Sequence, residues 1–208
     1  MRGVAAAKKG LKNRRYGRSR RIRRRGAVLL VVLALVLLGL PLLLETTDLV
    51  WRLTYPLEYE ETIRDVGTEH GVEPALVAAV IRTESGFDPE VESSQGAYGL
   101  MQIQPETASF ISERSGITSD YRGPKTNIRM GTWYLDYLQN RYGGDERLVL
   151  AAYNSGTGQV DAWVSEGGFD ADHDIPFEET RQYVEDVSEA RDTYVELYGR
   201  NLDRRSEE

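Results

Sequence analysis

Residues 80–104 read VIRTESGFDPEVESSQGAYGLMQIQ, and the reading of this stretch decides the fold. It is entered from an apolar run, residues 75–81 (ALVAAVI), that carries Glu84 at its C-terminal end. Gly86 stands where a helix needs a left-handed stop. A loop rich in Ser and Gly follows and leads into Gly99-Leu100-Met101-Gln102. A carboxylate at the end of an apolar helix, next to Phe87, stands where burial raises its pKa and keeps a proton on it.

Four blocks fix what this stretch is similar to. They are ESGFDP (84–89), GAYGLMQI (96–103), AAYNSG (151–156) and IPFEETRQYV (175–184). Together, in this order, they resemble the lysozyme-like lytic transglycosylases of the soluble type, which cleave peptidoglycan. The resemblance spans most of residues 58–198. It implies an all-α, goose-type lysozyme-like (SLT) helical domain. It also implies one glutamate, Glu84, that acts first as acid and then as base on the bond between MurNAc and GlcNAc. The product it implies is a 1,6-anhydro sugar, formed without water.

The resemblance assigns further positions. Ser85 lies beside the acid and shapes its loop. Ser93 matches a serine near the substrate N-acetyl group, Gln102 a glutamine that hydrogen-bonds sugar, and Tyr153 a tyrosine that faces and orients the glutamate. Glu179 matches a glutamate lining the groove. Each has a blander reading: Ser93 as a loop residue, Gln102 as a helix cap, Tyr153 as core, Glu179 as a first-turn acid favoured by the helix dipole. Gln104 departs from the family, where many relatives have Met, at a position expected to touch the groove. A hydrolase needs a second working carboxylate. Asp88, Glu90 and Glu92 are the candidates in this loop, with Asp88 reading as a turn residue.

The chain outside the blocks is divided by charge. Residues 1–44 hold 12 of the 26 basic residues and no acid, so residues 45–208 carry 14 basic and 33 acidic residues, a net of −19. Residues 1–25 read as a basic cytoplasmic tail that sets topology. Residues 26–44 are uncharged and about the length of a spanning helix. No small-residue cleavage site follows them, so they read as a signal anchor held in the cytoplasmic membrane. Residues 45–57 read as a linker, 58–200 as the catalytic domain and 201–208 as a polar tail. The expected localisation is a single-pass cell-membrane protein with its catalytic domain outside the cytoplasm. Trp51 and Tyr55 suit either the outer interface or domain packing.

Within 58–200 the pattern predicts helices throughout. They are expected at 58–70, 74–85, 106–115, 127–142 (capped by Thr126 or Asn127), 145–153, 158–164 and 178–198. Residues 117–126 and 165–177 are expected as loops. Sustained period-two alternation is missing, so no sheet is expected. Tyr183, Val187, Ala190, Tyr194 and Leu197 share one face of the last helix. Tyr98, Phe110, Trp133, Tyr134, Tyr137 and Trp163 suit either core or sugar-stacking roles. With zero Cys and two distant histidines, no disulfide, thiol or metal chemistry is expected. No nucleotide-binding glycine loop appears. The expected partners are peptidoglycan glycan strands and the membrane, with no cofactor and no nucleic acid. The competing readings are a hydrolytic muramidase on the same fold and an inactive glycan-binding scaffold.

Overall fold

The computed structural model describes residues 50–165 and 167–202. The expected basic tail and membrane span lie outside these residues. Among the described residues, no helix is long and apolar enough to cross a membrane. The chain divides into two units, residues 1–53 and 54–208; what is described of the first, 50–53, is helical.

The second unit is helical. Its elements are α1 (Glu60–His70), α2 (Pro74–Ser85), α3 (Pro105–Ser115), α4 (Pro124–Arg141), α5 (Glu146–Ser155), α6 (Thr157–Ser165) and α7 (Glu178–Leu202). Proline opens α2, α3 and α4, where its missing N–H costs nothing. Asp145 caps α5, accepting from the N–H groups of Arg147 and Leu148. Among the described residues the only ladder pairing is two isolated antiparallel bridges, Glu92–Tyr98 and Tyr98–Ile103, which pin the loop between α2 and α3.

The core forms around α2. Every residue from Ala75 to Ile81 is buried, as expected of a helix apolar on all sides. Helix α7 packs along it with Tyr183, Val184, Val187, Ala190, Tyr194 and Tyr198 inward. Each such large side chain taken from water contributes roughly 1.5–3 kcal/mol. Ile63 and Val66 of α1 and Leu135 and Leu138 of α4 complete the cluster.

Two expectations change. Helix α4 starts at Pro124, with Gly123 as its cap residue and no side-chain cap; Asn127 sits inside its first turn, fully buried. Helix α7 runs on to Leu202, which is buried and so extends the core past Tyr198. Within the segment expected as a linker, residues 54–56 are bonded to the helices. Tyr194 donates to the Pro56 carbonyl (2.8 Å), Tyr198 to that of Tyr55 (2.9 Å), and Arg82 Nε to that of Thr54 (3.3 Å). The Arg82 guanidinium also lies 4.0 Å over the Tyr55 ring. Of the two roles open to Tyr55, domain packing is the one observed.

Candidate active site

Helix α2 ends where its last turn meets the loop that returns as Gly99-Leu100-Met101-Gln102. Gly86 takes φ 61 and stops the helix there. The Ser85 hydroxyl lies 2.9 Å from the Leu100 carbonyl and 3.0 Å from that of Ile81, and accepts the N–H of Phe87. Ser85 therefore staples the returning loop to the helix end and does not line the cleft. Grouped from sequence with the substrate-binding residues as the neighbour that shapes the acid's loop, Ser85 engages that loop's backbone here.

Asn127 holds the same loop from the other side. Its Oδ1 accepts from Met101 N–H at 2.7 Å, while its Nδ2 donates to the carbonyls of Tyr98 (2.9 Å) and Tyr121 (3.0 Å). Gly99 lies directly over the amide; a Cβ there would fall 2.8 Å from Nδ2. Gln102 takes a left-handed φ of 45, uncommon for a non-glycine residue. Its Nε2 donates to Val91 and Gly99 carbonyls, both at 3.0 Å, which fixes that conformation.

These elements, with α4, α5 and the start of α7, enclose a cleft of about 430 Å³. Glu84, Ser93, Gln102, Tyr153 and Glu179 all line it. Five of the six residues assigned from sequence therefore converge, although they span three helices and a loop. Gln104, the departure noted above, lines it too, as do Tyr134 and Asn154. Asp88, Glu90 and Glu92 do not; Asp88 accepts the Glu90 N–H at 2.9 Å, as a turn residue does.

Glu84 is partly buried in the wall of this cleft. Burial pushes its carboxyl up from 4.5 to about 7, against the opposing pull of a hydrogen bond from Tyr183. That bond, Tyr183 Oη to Glu84 Oε1, is 2.8 Å long. Sequence reasoning gave the orienting role to Tyr153. Its hydroxyl instead donates to the Met101 carbonyl at 2.8 Å and so ties α5 to the returning loop. Tyr153 still stands near Glu84, whose charge helps raise its own pKa. Both tyrosines remain neutral donors, since burial pushes their hydroxyls well above 10.

The remaining residues divide by what they have left to offer. Ser93 accepts from Ala97 (3.0 Å) and Gln95 (3.3 Å) N–H groups, which leaves its proton for a ligand. The Gln102 amide nitrogen is committed to backbone, so its carbonyl oxygen is what it presents. Thr180 donates to Asn154 Oδ1 at 2.8 Å and steers that amide at the cleft edge. Tyr183, Asn127 and Thr180 were not singled out from sequence as site residues. Of the aromatics left open, Tyr134 reaches the cleft, against Tyr153 at 5.7 Å, whereas Trp133 and Tyr137 stack beside Phe110. No group of three metal-ligating side chains occurs among the described residues.

Chemically, the cleft offers one carboxyl poised to carry a proton near neutral pH, neutral donors around it, and uncharged acceptors along a groove. That set suits proton transfer to a leaving oxygen on a neutral polyhydroxyl ligand.

The family model of the transglycosylase SLT domain matches residues 61–175. The chain is 39% identical over 144 residues to the soluble lytic murein transglycosylase of Salmonella typhimurium, a match covering 64% of this chain and 22% of that protein. It is 31% identical over 169 residues to the membrane-bound lytic murein transglycosylase C of Actinobacillus pleuropneumoniae serotype 5b, covering 67% of this chain and 46% of that one. Among solved structures, the 70 kDa soluble lytic transglycosylase of Escherichia coli superposes with a TM-score of 0.68 at 32% identity, covering 76% of this chain and 27% of that one. The chain thus spans under a quarter of the length of the Salmonella protein and just under half of the membrane-bound one.

Proposed function

From a chain that belongs to the transglycosylase SLT domain family, we propose a membrane-anchored lytic transglycosylase of peptidoglycan in which Glu84 is the sole acid and base. The observation that carries this reading is Glu84 itself, half-sunk in the cleft, held by Tyr183, and with its carboxyl pushed up to about 7. In the proposed reaction the Glu84 carboxyl gives its proton to the glycosidic oxygen, and the C1–O bond of MurNAc breaks. GlcNAc leaves with a free 4-hydroxyl. The C6 hydroxyl of the same MurNAc then closes on C1, and its proton returns to the Glu84 carboxylate. No water is consumed, and the enzyme ends in its starting protonation state.

The surrounding groups fit the two halves of this cycle. Burial keeps Glu84 protonated for the first half. The Tyr183 hydroxyl stabilises the carboxylate that exists between the halves. Ser93, Gln102 and Glu179 line the cleft where sugar substituents would lie. The anchor is proposed on the sequence alone: an uncharged stretch at residues 26–44 behind a basic tail. It would put the domain outside the cytoplasm, beside its substrate.

A second reading, a hydrolytic muramidase, draws on one observation: Glu179 shares the cleft with Glu84 and could serve a water molecule. Digestion of purified peptidoglycan by the detergent-solubilised full chain, with muropeptides read by mass spectrometry, separates the two. Anhydro ends, lighter by one water, support the lyase. Reducing ends support the hydrolase and turn attention to Glu179. Binding without release leaves an inactive scaffold.

A further inference from the structure

A second concavity, about 210 Å³, opens beside the far end of α6, lined by Trp163, Gly167, Gly168, Phe169, Asp174 and Pro176. The Trp163 and Phe169 rings lie nearly parallel, 18° apart with centroids at 6.0 Å, and Phe177 meets Trp163 edge-on at 5.4 Å. Phe177 and Val164 are 45% and 42% exposed. These two flank the concavity without lining it, while Trp163 and Phe169 within it are part-exposed.

The site is built from fixed parts. Asp170 N–H donates to Asp174 Oδ2 at 2.9 Å, and Asp174 N–H to the Asp170 carbonyl at 2.8 Å. Arg147 of α5 ties the same loop down, with Nε 3.1 Å from the Ala171 carbonyl and 3.0 Å from Asp172. The Asp174 carboxylate is therefore held at the rim, with acceptor capacity beyond its one internal bond. A flat aromatic face beside a fixed acceptor suits a pyranose, whose C–H face lies on the rings and whose hydroxyl or amide edge donates to the carboxylate.

Helix α6 begins immediately after Gly156, which lines the main cleft, and Trp163 lies six residues further along it, about 9 Å by the helical rise. On the other side Phe177 precedes the cleft residue Glu179 by two positions. Residues lining the two concavities therefore lie within about one disaccharide's length of each other along α6. We infer that Trp163, Phe169 and Asp174 form a saccharide subsite that holds the same glycan strand beyond the point of cleavage. The inference rests on the glycan reading of the cleft.

The test is binding by the detergent-solubilised full-length Glu84→Gln variant to glycan strands stripped of their peptides, in a series of increasing length, by calorimetry. Affinity is expected to rise once the strand outgrows the cleft. Trp163→Ala or Asp174→Asn in the same background is expected to remove that gain, about tenfold, and to leave the affinity for short strands as it was. Asp174 is exposed, so Asp174→Asn decides even where Trp163→Ala fails to fold. A gain that survives Asp174→Asn, or one that appears only on strands carrying stem peptides, overturns the inference; the latter assigns the site to a peptide amine. Cleavage by the unsubstituted chain, measured separately, keeps the two readings apart. A tryptophan-dependent gain without cleavage retains the subsite and removes the lyase reading. Cleavage without any length gain does the reverse.

Discussion

The Tyr183 hydroxyl on α7 donates to Oε1 of Glu84 at the end of α2, a 2.8 Å bond between residues 99 apart in sequence. The bond pulls the Glu84 pKa down while burial pushes it up, and burial wins. Removing it with Tyr183→Phe is expected to raise the carboxyl above about 7, because the charged form loses its donor. The alkaline limb of kcat/KM should shift to higher pH. At the same time kcat should fall about tenfold, because the carboxylate between the two half-reactions is less stable. A pH–rate profile of the variant checks both; an unmoved limb would show that Glu84 does not set it.

Glu84→Gln should abolish cleavage and leave the helical fold intact, since Gln retains an acceptor for Tyr183. The same substitution has a stability signature. In the folded protein Glu84 keeps its proton up to about pH 7, whereas unfolded it ionises near 4.5. Between those values the unfolded state binds fewer protons, so stability falls as pH rises. The shift is worth up to about 3 kcal/mol. Denaturant melts should find the variant more stable than the parent above pH 7, with the difference closing as pH approaches 4.5.

Asn127→Ala leaves the buried Met101 N–H without its acceptor and takes a donor from the part-buried carbonyls of Tyr98, which keeps the Ile103 N–H, and Tyr121. A cost of about 2–4 kcal/mol is expected. Asn127→Asp keeps an acceptor for Met101 and loses both donors, so it should not rescue the loss. Urea unfolding measures this directly.

Gly131, on α4, lines the cleft against Met101. A Cβ there would lie 2.8 Å from Met101 Cε and 2.9 Å from its Cβ. Gly131→Ala is expected to cost about 1–3 kcal/mol through overpacking. It should also lower kcat more than it raises KM, because the Met101 carbonyl anchors Tyr153. Steady-state kinetics beside a thermal melt separate the two effects.

Much of this molecule is legible in the sequence where the signal is local. The apolar run at 75–81 marks α2, Gly86 marks its end, and proline marks the starts of α2 and α3. The four blocks carry Glu84, Gln102, Tyr153 and Glu179, and Ser93 lies in the loop between the first two. Long-range contacts leave no such mark. Helical spacing places Tyr183 on the inward face of α7 but does not say that its hydroxyl reaches beyond the apolar layer to Glu84. Asn127 looks like a helix cap because Asn commonly is one. Its amide serves instead a loop 26 residues away. Ser85 follows the acid and reads as shaping its loop, but the two backbone carbonyls it meets, of Ile81 and Leu100, are not legible in the sequence. The segment before Tyr59 looks like a linker because the tyrosines that bind it lie on α7, about 140 residues on.

That attachment sets a working radius. On the proposed anchoring, nine residues, 45–53, separate the end of the apolar stretch from Thr54, whose carbonyl accepts from Arg82. Fully extended they reach only about 30 Å, and less because 50–53 are helical. A flexible leash would let the cleft roam the thickness of the wall. If the proposed anchor holds, this one would confine cutting to strands within that reach of the membrane.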